Sequence, residues 1–139
     1  MRKMVYAVAA QHDLGLALLR IVMGIIVLKS GYNKLFTGIA PFVDMFTKWG
    51  IWWPQVSAPF IGLLEFVGGI LLIVGLFTRY LGALFVCEFI VATWVHWVVQ
   101  SGGMFGSRLE LLLLFGGVLF ATNGGGAFTL DRLLKRWDA

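Results

Sequence analysis

The stretch LLEFVGGILLIVGLFTR, Leu63 to Arg79, decides how this chain is read. Its leucine, isoleucine, valine and glycine residues make a run long enough to cross a bilayer, yet Glu65 sits inside it. On a helix rising about 1.5 Å per residue, that carboxylate lies roughly 10 Å from one end of the span. A lone carboxylate at such depth is expensive, so groups on other segments must offset it.

Composition agrees with a membrane setting. The chain has 139 residues, of which 60% are hydrophobic and 13% charged, with a mean hydropathy of +0.90; soluble domains carry about 25% charged residues. This is the composition of an integral membrane protein. The single cysteine, Cys87, excludes an internal disulfide and a paired redox motif, and His12 and His96 are too far apart to form a local metal motif. No metal site is assigned. A net charge of +4 can signal nucleic acid, but here the cations flank apolar runs, where orientation in the membrane accounts for them. Nucleic acid is therefore set aside as a partner.

Outward from Leu63–Arg79, the apolar runs are Leu14–Tyr32, Pro59–Phe77, Leu81–Val99 and Leu109–Asn123, the last reaching spanning length if it starts near Phe105. Backbone polar groups in lipid must be satisfied within the segment, so the runs are expected to be helices. The expected fold is all-α: one polytopic membrane domain over residues 1–139, a bundle of four transmembrane helices at about 14–32, 59–77, 81–99 and 105–123. The N-terminal MRKMVYAVAA leads straight into a full span, so it is read as a lead-in and not as a cleaved signal.

Two further segments are amphipathic. In PFVDMFTKW, at about 41–49, Phe42, Met45, Phe46 and Trp49 recur at helical spacing, which predicts an interfacial helix lying as a lid on the bundle mouth, with Trp52 and Trp53 as an anchor. At about 129–137, TLDRLLKRW places Leu130, Leu133, Leu134 and Trp137 on one face and Arg132, Lys135 and Arg136 elsewhere, a basic helix at the membrane surface. With four spans, Arg2, Lys3, Arg79, Arg132, Lys135 and Arg136 share one side, against Lys34, Lys48 and Arg108 on the other. The excess of cations marks the cytoplasmic side, so both termini are expected in the cytoplasm of a cell with this protein in its inner membrane.

Polar residues within the spans carry the functional signal. At about 100° per residue, Arg20 shares a face with Gly24 and Gly31, Glu65 with Gly62 and Gly69, and Glu110 with Gly117 and Ala121. Such small-residue stripes are where membrane helices meet, so these charges are expected to face inward. Glu88 has only Ala92 on its stripe, and its inward placement rests on the cost of exposing a carboxylate to lipid. Counting depth from the expected helix ends makes Arg20 and Glu88 a buried ion pair on the cytoplasmic side, and groups Glu65, Glu110, His96 and Lys34 as an outer polar cluster with Arg108 at its rim. Two carboxyls, an imidazole and an ammonium exceed what one packing contact needs, and clustered carboxyls hold protons that they can donate. These four are the candidates for ligand binding or proton exchange. Lys29 is read as reaching back to the interface, and Cys87 and His12 as a small core residue and an interfacial side chain.

Taken together, LLRIVMGIIVLKSGYNKLF (18–36), LLEFVGGILLIVGLFTRYLGAL (63–84), LELLLLFGGVLFA (109–121) and GGGAFTLDRLL (124–134) give the chain a resemblance to the DoxX family over nearly its whole length. The resemblance implies a four-helix membrane protein of bacteria or archaea that serves redox or oxidative-stress systems as a small subunit or partner, in some cases with quinone-dependent sulfur oxidation. Its polar positions fall on Arg20, Lys34, Glu65, Arg79 and Glu110, with Arg79 in a short cytoplasmic turn where it would cap the preceding helix. No flavin, haem or iron–sulfur ligation pattern is visible in the sequence, so electrons would come from another redox subunit. The leading expectation is a membrane subunit of a quinone-linked redox system, not a complete enzyme by itself, with quinone as the candidate ligand and no covalently bound cofactor. A non-catalytic scaffold subunit of a larger membrane complex is the first alternative, and a small transporter or proton conductor the second.

Overall fold

A computed structural model describes residues 1–137, with side chains through Leu134. The described chain is helical, without strands. Helix α1 (Arg2–Tyr32) runs into a π turn over Asn33–Thr37, and a short helix α2 (Ala40–Lys48) follows. Helix α3 (Pro54–Val74) is followed by α4 (Thr78–Trp94), which also ends in a π turn, Val95–Val99. One turn, α5 (Gly103–Gly106), precedes α6 (Arg108–Asn123), and α7 (Leu130–Trp137) closes the chain.

Three of these helices, Arg2–Thr37, Pro54–Val74 and Thr78–Val99, are long and apolar enough to cross a membrane. The fourth expected span is shorter: Ser107, fully buried, breaks the helix from α5, so α6 starts at Arg108 rather than near Phe105. At 1.5 Å per residue, α6 covers about 24 Å against a hydrocarbon core of about 30 Å. At the other end of the chain α1 is longer than Leu14–Tyr32, because its exposed first turns continue the helix back to Arg2. The side chains of Lys135, Arg136 and Trp137, expected to complete the faces of the last helix, lie outside the described residues.

The helices pack as two antiparallel pairs, α1 with α3 and α4 with α6. Glycines set both seams. A Cβ at Gly69 would come within 2.7 Å of the Leu28 amide nitrogen and 2.8 Å of the Gly24 carbonyl, and one at Gly82 within 2.7 Å of the Gly117 carbonyl. Backbones this close leave no room for a side chain, and dispersion between them holds the pairs together in lipid. Gly24 and Gly31 on α1 face Gly69 and Gly62 on α3 at the same seven-residue spacing, two helical turns, so one seam runs the length of the pair.

The pairs meet through a narrower set of contacts, with Phe85 of α4 against Gly68 of α3 and Met23 of α1 against Gly116 of α6. Around them Leu72, Phe85, Phe120 and Val27 are almost fully buried. Toward the tails, the segment after α6 plugs the bundle: Arg20 donates from Nη1 to the Gly125 carbonyl (2.8 Å) and from Nη2 to the Phe128 carbonyl (2.6 Å). Asp13 accepts from the Ala127 amide, and Asp131 accepts from the amides of Phe77 and Thr78 at the start of α4. Opposite the tails, α3 and α4 barely touch, and the two pairs part.

Candidate functional site

The parted end holds a cavity of about 660 Å³. Its walls come from α1, α3, α4 and α6, and α2 closes it with the expected face, Phe42, Met45, Phe46 and Trp49. Trp52 and Trp53 are exposed and do not line the cavity. The lining is mainly apolar, but Lys34, Glu65, Glu88, His96 and Glu110 all reach it.

Lys34 is presented by the π turn that ends α1, and Ser30 lies four residues before it on the same face. The Lys34 ammonium sits 2.6 Å from Glu65 Oε2 and donates to Ser30 Oγ at 2.7 Å, while Ser30 donates to Glu65 at 3.1 Å. Only 12% and 6% of the two charged side chains is exposed. A buried pair holds together when further hydrogen bonds complete it, and Ser30 supplies them here. The Phe42 ring lies 5.4 Å from the same ammonium, a cation–π contact that ties α2 to the charged wall.

A second acid–base pair stands across the cavity. His96, in the π turn that ends α4, places Nδ1 3.2 Å from Glu110 Oε1 on α6, with 29% and 16% of the side chains exposed. The same Nδ1 is 3.2 Å from the Ala92 carbonyl. Trp49, the residue that ends α2, stands tilted beside the imidazole, ring centroids 6.3 Å apart. The structure thus brings Lys34, Glu65, His96 and Glu110 to one cavity.

Several expectations change. Arg20 and Glu88 form no ion pair: Arg20 points to the carbonyls of the plug, and Glu88 lines the cavity, where its Oε2 is buried without a partner among the described residues. The reason is depth: Glu88 lies midway along Thr78–Val99, and the C-terminal segment folds back to satisfy the guanidinium with carbonyl oxygens. Arg79 does not cap α3. Gly75, in the left-handed conformation, closes that helix through its amide to the Leu71 carbonyl, while Arg79 is exposed on the first turn of α4 beside Gly124. Cys87 is not a core residue but an exposed one at the cavity mouth. Arg108 is exposed and donates to the Phe105 carbonyl outside the cavity lining. Ser30 was not singled out in the sequence, although its four-residue offset from Lys34 was a usable signal.

An all-α membrane protein whose helix pairs enclose a cavity with charged groups on an apolar wall is the class that the fold and site define. The chain belongs to the DoxX family, whose model matches residues 15–97. It is 34% identical over 130 residues to "Inner membrane protein YqjF" of Escherichia coli strain K12, covering 91% of this chain and 97% of that protein. It is 31% identical over 119 residues to "Putative oxidoreductase CatD" of Bacillus subtilis strain 168, covering 86% of each. No solved structure matches the chain.

Proposed function

We propose that the protein is the membrane component of a redox system and that its cavity binds a quinone-type head group and exchanges protons with it. The observation that carries this reading is the cavity itself: about 660 Å³, walled by aromatic and aliphatic side chains, with Lys34–Glu65–Glu88 and His96–Glu110 facing it. Apolar clefts with a few convergent polar groups are the usual form of small-molecule sites, and ionisable groups inside a membrane are retained for function. The name of the B. subtilis relative, an oxidoreductase, points the same way. Electrons would pass between the bound ligand and a protein redox partner, and the side chains present here would handle protons.

The same reading puts both tails in the cytoplasm, because Arg2, Lys3, Arg79 and Arg132 lie toward the tail end. A reporter fused after Ala139 is then active in the cytoplasm, and activity on the outer side instead would contradict it. For the site, the full chain in nanodiscs is titrated with decylubiquinone and its quinol. Saturable binding is expected, weakened about tenfold by Glu65→Gln through loss of the Lys34 counter-ion. Absence of saturable binding for both forms sinks the proposal.

A further inference from the structure

Resting on the quinone reading, we infer that His96 Nε2 is a proton acceptor for a ligand hydroxyl, with Glu110 as its positioning residue, so that the cavity takes the reduced, hydroxyl-bearing form of the head group in preference to the oxidised one.

The tautomer of His96 is fixed by its neighbours. Nδ1 faces two acceptors, the Ala92 carbonyl and Glu110 Oε1, each at 3.2 Å. Neither can donate in ionised or carbonyl form, so the ring hydrogen belongs on Nδ1 and the lone pair on Nε2. Among the described residues the hydrogen bonds of His96 run through Nδ1, and the ring lines the cavity, so Nε2 is the ring nitrogen left for a ligand. A second acceptor stands beside it: Glu110 Oε2 is buried and without a partner among the described residues. Buried polar atoms without partners are uncommon, and this one awaits a donor.

The opposite wall offers a carbonyl ligand one free donor, the third hydrogen of the Lys34 ammonium. Lys34 spends two of its three ammonium hydrogens on Ser30 and Glu65, and Glu88 Oε2 is a further buried oxygen without a partner among the described residues. The His96 end therefore presents acceptors. A quinone has acceptors alone, whereas its quinol brings two O–H donors. The rings of Phe42, Phe46, Trp49 and Phe89 suit a flat aromatic ligand.

The step is a proton transfer with no change in electron count. The ligand O–H bond breaks, its proton goes to Nε2, and the aryl oxide keeps the electron pair. The resulting imidazolium stays hydrogen-bonded through Nδ1 to Glu110, whose negative charge stabilises it. Glu65, Glu88 and Lys34 face the same space and set its field. The π turn Val95–Val99 widens the helix where His96 projects, as π turns do at functional sites.

The test uses the full chain in nanodiscs and three probes: decylubiquinol, decylubiquinone and the di-O-methyl ether of the quinol. We expect the quinol to bind about tenfold tighter than the other two, the worth of one hydrogen bond to a charged or strongly basic group. His96→Gln, whose amide can hydrogen-bond but cannot take up a proton, should erode that preference by lowering quinol affinity more than decylubiquinone affinity. Binding of all three probes with equal affinity overturns the inference but leaves the quinone reading standing; so does an equal loss of quinol and quinone affinity in His96→Gln, which marks a structural role. Failure of every probe to bind overturns both. The ether comparison needs no variant, so it decides the matter even if His96→Gln does not fold.

Discussion

Glu65 is tolerated because Ser30 of α1, at 3.1 Å, and Lys34 of the π turn that follows, at 2.6 Å, reach it. The inward face of Glu65 and its grouping by depth with Lys34, Glu110 and His96 could be read from the sequence, but not which of them it pairs with. Arg20 could not be placed in that way. Its partners are main-chain carbonyls in the loop after α6, and carbonyls leave no mark in a sequence. Glu88 lies midway along its span, so depth counted from one helix end does not place it. Removing one member of the buried pair leaves the other charge unmatched, at about 3 kcal/mol or more. Lys34→Ala should therefore lower stability by about 3 kcal/mol in SDS titration, and Lys34→Met with Glu65→Gln should recover most of it. A single variant as stable as the parent would show that the pair contributes nothing.

Among the elements, the helices and the amphipathic α2 were legible because their periodicity is strong, and the glycine stripes correctly marked the seams. The ends were harder. Nothing in NKLFT or VHWVV announces a π turn, yet each of these turns presents the basic residue of an acid–base pair, Lys34 in one and His96 in the other. The break at Ser107 was equally silent, since its hydroxyl turns inward to the Gly103 carbonyl. The seams carry their own prediction. Gly82→Leu forces a side chain against the Gly117 carbonyl and should cost about 2 kcal/mol or separate α4 from α6. Gly15→Ala, where a Cβ meets nothing within 4 Å, serves as the control and should be neutral in the same SDS titration. Equal tolerance of both would refute glycine-set packing.

At the scale of the whole molecule, α1–α2–α3 and α4–α5–α6 repeat one plan: a helix ending in a π turn, a short connecting helix, and an antiparallel return carrying a glutamate that meets the base of the turn. Side-chain identities around Glu65 and Glu110 differ, so the likeness of the two halves is weak in sequence and clear in space. The halves touch at Phe85–Gly68 and Met23–Gly116, and the C-terminal plug binds them at the tail end through Arg20, Asp13 and Asp131. Where no such ties exist, the halves part and the cavity opens with both acid–base pairs facing it. The central claim is that this space holds a quinone-type head group, and a structure of the full chain in nanodiscs loaded with decylubiquinol tests it most directly. The account predicts ring density between the Lys34–Glu65–Glu88 wall and the His96–Glu110 pair. A lipid acyl chain filling the cavity, with the head group bound elsewhere, would contradict it.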